Sequence, residues 1–168
     1  RPSSHVPSFI AAKRKILSKG IYIARECGMQ FLWPRVFFAY GPGQREASLI
    51  PSLVRSFGQR IAPKIKNKEG GNDFVYVGDV AEAMIMIIEK CKKPSAVYNI
   101  GSGRLTSVAR VANLVAKSFG KPAIVREPKK PKGFWADVSK IKREIGWWPK
   151  TDLVSGVTRT VKYYRKNG

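Results

Sequence analysis

The chain has 168 residues, 43% of them hydrophobic and 11% aromatic, enough to bury the core of one domain. Lys and Arg outnumber Asp and Glu by 32 to 11, a formal charge of +21 that draws anions to the surface. Two cysteines with His5 cannot complete a four-ligand zinc site, and no apolar run approaches the roughly 20 residues of a membrane span.

The basic residues are spread over helix faces and loops, without an arginine-rich or aromatic-interleaved tract. Nucleic acid therefore ranks behind a general basic background as the meaning of the charge. Cys27 and Cys91 each lie among apolar residues, so two buried thiols are expected rather than a disulfide. No signal-peptide pattern is present, which points to the cytoplasm. The chain opens on Arg1, and it reads as the continuation of something longer.

In chain order, helical periodicity starts near Ala11, with Ile16, Ile23, Ala24 and Cys27 on one side and Gly28 placed to end it. Phe31 to Ala39 is aromatic and β-branched without alternation, as in a strand covered on both faces. Leu49, Ile50, Leu53, Val54 and Phe57 form a second helical stripe, with Pro51 tolerated in its first turn. Phe74 to Val77 is a short strand. Asp79 and Glu82 have capping-box spacing before the stripe Val80, Ala83, Met84, Ile87, Ile88 and Cys91. Met84 and Met86 are packing residues in this reading.

Val97 to Ile100 is a strand ending in Gly101-Ser102-Gly103, and Thr106 or Ser107 caps a helix carrying Val108, Val111, Ala112, Val115 and Phe119. Ala123 to Arg126 is extended, and Lys129 to Gly133 is loop. Asp137 and Ser139 start a short helix that Gly146 ends, and Trp147 and Trp148 pack beside Pro149. Leu153, Val157, Val161 and Tyr164 mark the last helix. Strands alternating with helices predict an α/β fold with a mostly parallel sheet. Few long strands are encoded for the helices present, so the apolar helix faces call for strands from elsewhere.

Four segments carry a family resemblance. They are Pro34-Arg35-Val36-Phe37-Phe38-Ala39-Tyr40-Gly41-Pro42-Gly43-Gln44, Asp73-Phe74-Val75-Tyr76-Val77-Gly78-Asp79-Val80-Ala81, Tyr98-Asn99-Ile100-Gly101-Ser102-Gly103, and Asp137-Val138-Ser139-Lys140 with Gly146-Trp147-Trp148-Pro149. Together and in this order they resemble the extended short-chain dehydrogenase/reductases, the NAD-dependent epimerase/dehydratase group. The resemblance implies the C-terminal part of a Rossmann-type doubly wound sheet plus the small substrate-binding lobe. Residues 1–168 are then a single incomplete domain whose dinucleotide-binding half precedes Arg1.

The resemblance also implies a site. Such enzymes carry a Tyr and a Lys four residues apart on one helix face: the hydroxyl exchanges a proton with the sugar, and the ammonium lowers the tyrosine pKa and holds the nicotinamide ribose. Lys13 stands at the lysine position, as catalytic and cofactor-binding residue, but Phe9 stands at the tyrosine position. Ser48, Leu49 and Ile50 match a substrate loop, and Lys64 and Lys66 match a strand beside the base. Asn72 replaces a substrate-binding arginine and Phe38 an asparagine. NAD or NADP serves an intact member. This chain has no glycine-rich fingerprint and is expected to bind neither by itself.

The implied substrate is a nucleotide sugar, and the implied reaction is hydride transfer at a sugar carbon followed by epimerisation or elimination. The competing reading is a non-catalytic relic, a basic structural subunit that binds a protein partner, RNA or another polyanion. Self-association, or a partner that supplies the missing strands, is expected in either case, and no membrane.

Overall fold

The computed structural model describes residues 5–167; Arg1 lies outside them. The elements run α1 (His5–Glu26), β1 (Phe31–Val36), β2 (Phe38–Tyr40), α2 (Leu49–Gly58), β3 (Gly71–Asn72), β4 (Phe74–Tyr76), α3 (Val77–Lys90), β5 (Ser95–Ile100), β6 (Thr106–Ser107), α4 (Val108–Ser118), α5 (Ser139–Ile145) and α6 (Leu153–Asn167). The mixed α/β class and the parallel pairing agree with the sequence. Among the described residues, no helix is long and apolar enough to cross a membrane.

The expected strand over Phe31 to Ala39 is split. β1 pairs in parallel with β5, from Phe31 opposite Ser95 to Val36 opposite Ile100. The chain then changes partner: the Phe37 N–H donates to the Ile100 carbonyl at 2.9 Å, and the Phe38 N–H donates to the Asp73 carbonyl at 3.0 Å. From there β2 pairs in parallel with β4. Nor is β1 covered on both faces, since Pro34, Arg35 and Val36 are exposed. A short antiparallel pair joins β3 to β6.

Two apolar clusters form the core. The first joins Val75, the α3 residues Val80, Ala83 and Ile87, the β5 residues Tyr98 and Ile100, and Ile141 and Trp147. The second packs α2, α4 and α6 around Tyr40 and Phe74 through Leu53, Val111, Val115, Val157 and Val161. α6 comes so close to Tyr40 at Gly156 that a Cβ there would overlap the phenol. Gly146, at φ 73°, ends α5 in the left-handed conformation its position suggested.

Several local expectations give way to tertiary contacts. α1 begins at His5, not near Ala11, because Pro7 to Ile10 are exposed and show no buried stripe that periodicity could reveal. Ile16, Ile23 and Cys27 are exposed and only Ala24 of that stripe is buried. Cys91 is the buried thiol, with Sγ 3.4 Å from the Tyr98 hydroxyl. On α3, Met84 and Ile88 face outward, leaving Val80, Ala83 and Ile87 to pack. Trp147 is buried but Trp148 is exposed.

The capping box on α3 is also corrected. The helix starts at Val77 with no side-chain cap. The buried Asp79 carboxylate instead accepts from the Thr151 N–H at 2.9 Å and the Thr151 hydroxyl at 3.1 Å, while Glu82 pairs with Lys150. Ser107 does cap α4, accepting from the Arg110 N–H at 3.0 Å.

Candidate functional site

Phe9 and Lys13 sit one turn apart on α1, and the Lys13 ammonium lies 4.6 Å from the centre of the Phe9 ring. Both are exposed, Phe9 at 60%. Helical geometry places residues four apart on one face, and the ring attracts the cation with about 0.5–1 kcal/mol at such a surface. The pair is geometrically what the sequence implied. A phenyl ring has no proton to exchange, so Lys13 is its only polar group.

The other residues divide. Ser48 is the N-cap of α2 and its hydroxyl makes no capping bond. Leu49 and Ile50 are helical rather than loop, and Ile50 is 1% exposed in the second core cluster, so its side chain is committed to packing. The segment holding Lys64 and Lys66 is not a strand. Only Ile65 packs inward there, and the two lysines project into solvent. Asn72 lies in β3 opposite Thr106, beside the point where the chain changes strand partner. Phe38 pairs with Phe74 between β2 and β4, its ring edge-on to that of Phe74 at 4.8 Å.

At that crossing the structure holds a group the sequence did not single out. Asp73 is 1% exposed. One carboxylate oxygen accepts from the Ser102 N–H at 2.5 Å and its hydroxyl at 2.6 Å, and the other from the Gly103 and Ala136 N–H groups, each at 2.9 Å. The turn Gly101-Ser102-Gly103 is therefore an anion nest whose anion is the chain's own. The signal was present only as an aspartate opening the Asp-Phe-Val-Tyr-Val segment.

Tyr40 is buried beside Tyr76 and Phe74. Burial, reinforced by the Asp79 charge, pushes its phenol well above the usual tyrosine range, so it stays neutral and structural. These facts bear on a dinucleotide. Gly41-Pro42-Gly43 leads into a turn well before α2, and the Ser102 and Gly103 N–H groups are already taken. Among the described residues nothing fits a pyrophosphate between a strand and a helix start.

Comparison with known proteins gives the context. The sequence model of the NAD dependent epimerase/dehydratase family matches residues 3–101. The chain is 33% identical over 150 residues to a putative UDP-glucose 4-epimerase of Methanocaldococcus jannaschii, covering 83% of this chain and 47% of that protein. It is 28% identical over 141 residues to an uncharacterised UDP-glucose epimerase of Bacillus subtilis, covering 81% and 45%.

Among solved structures, the UDP-glucose 4-epimerase of Thermotoga maritima with UDP-glucose superposes with a TM-score of 0.79 at 30% identity, covering 94% of this chain and 53% of that one. The UDP-glucuronic acid 4-epimerase of Bacillus cereus, in complex with UDP-glucuronic acid and NAD, superposes with a TM-score of 0.72 at 25% identity, covering 84% and 47%. The chain thus spans about half the length of these relatives. With the family match over more than half its residues and this Rossmann-type likeness, the chain belongs to the NAD dependent epimerase/dehydratase family.

Proposed function

We propose that these residues form the substrate-side part of a nucleotide-sugar epimerase or dehydratase, working in the cytoplasm beside a dinucleotide-binding unit formed by other residues. The observation that supports the reading is the Phe9–Lys13 face of α1, which presents an ammonium one turn from the residue that the resemblance puts at the tyrosine position. Lys13 would hold a ribose hydroxyl, and Ser48 with Asn72 would offer neutral hydrogen bonds to the substrate in place of a guanidinium. An exposed free thiol at Cys27 suits a reducing compartment. Saturation-transfer NMR with UDP-glucose tests this: transfer to the uridine protons is expected, and its absence at millimolar ligand would refute the assignment.

A second reading, the non-catalytic relic, is favoured by one specific observation. Phe9 removes the acid–base hydroxyl at the position where the family resemblance puts it. The two readings separate on Phe9→Tyr tested with a complementing dinucleotide-binding half. Turnover that rises on restoring the hydroxyl supports the enzymatic reading, and unchanged turnover supports the relic.

A further inference from the structure

Helices α4 and α6 pack side by side, and an open groove of about 490 Å³ runs between them. Its floor is apolar: Leu114 from α4, and Val154 and Val157 from α6. Val157 is buried at the bottom, whereas Val154 is 50% exposed. The rim is cationic, with Lys117 from α4 and Lys162, Arg165 and Lys166 from α6. Neither helix contains an acidic residue. Among the described residues none of these four cations enters an ion pair. Arg165 is held at the groove end, its guanidinium 5.0 Å from the Phe119 ring. The lining shares no residue with the Phe9–Lys13 face, the Asp73 nest or the Ser48 cap.

We propose that this groove docks an acidic amphipathic helix of a partner protein. The charge complement identifies the occupant. An apolar floor flanked by unpaired cations matches a helix whose apolar stripe lies against Leu114 and Val154 and whose Asp or Glu side chains reach the rim. From Val154 to Lys166 the groove wall is about 18 Å long at 1.5 Å per residue, which accommodates about three turns of a partner helix. Nucleic acid fits less well: the lining offers phosphate-binding charge but no aromatic ring on which a base could stack.

Fluorescence anisotropy on the 168-residue chain tests the proposal with a labelled peptide of about 14 residues, Leu at helical spacing and Glu elsewhere. A scrambled peptide of the same composition and polyuridylate RNA serve as comparators. The patterned peptide is expected to bind at least about tenfold more tightly than the scramble at 0.15 M salt. Val154→Asp and the double change Lys162→Glu with Arg165→Glu should each weaken it by about tenfold or more with unchanged circular dichroism. The single change Lys162→Gln, at an exposed site, should give a smaller loss in the same direction. Equal affinity for patterned and scrambled peptides, or affinity indifferent to Val154→Asp, overturns the proposal. RNA that binds more tightly than the patterned peptide overturns it as well.

Discussion

Asp73 concentrates more polar work than any other side chain described. Four donors converge on its carboxylate from Ser102, Gly103 and Ala136. In Asp73→Asn one oxygen becomes an amide nitrogen, which turns donors toward donors in a site closed to water. The expected loss is about 2–4 kcal/mol, read as a lower urea midpoint at unchanged slope. Tyr98, like Tyr40, shapes the response to alkali. Burial, then its bonds with Cys91 and with Glu144 at 2.9 Å, raise its phenol well above the ordinary range. The folded state therefore keeps a proton that the unfolded chain gives up near pH 10. This stability is complete below about pH 10 and falls as pH rises beyond it. Thermal melting from pH 8 to 11 should show a late decline, shallower in Tyr98→Phe. Glu144 works in the opposite sense: Lys93, 2.9 Å away, holds its carboxyl below the usual range, and that contribution is lost as pH falls through the lowered value.

At the scale of elements, α6 meets β2 where Gly156 faces the Tyr40 phenol. Ala at position 156 would improve helix propensity by about 1 kcal/mol, but its methyl would overlap the Tyr40 phenol. Overlap wins, and Gly156→Ala should destabilise by about 1–3 kcal/mol in urea unfolding. The elements themselves were largely legible, because α4 and α6 announce their buried faces by spacing and α5 ends at a glycine. The partner switch at Phe37 was not, since it depends on which strand offers an edge to Phe38, a fact held by Asp73 and Ile100. Asp79 shows the same limit. Its spacing to Glu82 suits a cap, but Thr151 lies 72 residues away and takes the carboxylate. Of the site, the Phe9–Lys13 face follows from helix geometry alone, whereas the packing of the Ile50 side chain and the lack of a strand at Lys64 depend on tertiary contacts that spacing does not show.

At the scale of the whole molecule, α1 and α3 leave apolar side chains in solvent, in addition to the groove between α4 and α6. Phe9, Ile16, Tyr22 and Ile23 of α1 and Ile85 and Ile88 of α3 are all exposed. Phe9, Ile16 and Ile23 recur every seven residues on one face of α1, and a contiguous apolar face marks a partner surface or an aggregation risk. The net charge of +21 keeps copies apart at low salt, and its reach shrinks to about 10 Å at 0.1 M. Sedimentation should therefore show association that strengthens with salt; a compact monomer at both low and high salt would disprove this. Phe9→Tyr by itself is uninformative for activity. With no fitting pyrophosphate cradle among the described residues, the isolated chain should give no saturable NAD heat at micromolar concentrations in titration calorimetry, whether residue 9 is Phe or Tyr.

The Asp73 nest has a kinetic consequence. Its donors come from residues 29, 30 and 63 positions along the chain, so it cannot close until β4, the end of β5 and the approach to α5 are all in place. Such a latch belongs to the native side of the folding barrier, and its loss should be felt on the way out rather than on the way in. Stopped-flow chevrons of Asp73→Asn should show nearly unchanged refolding and unfolding faster by more than tenfold, as a loss above about 1.4 kcal/mol requires when almost none of it reaches the transition state. Slower refolding in equal measure would instead place the nest in the folding nucleus.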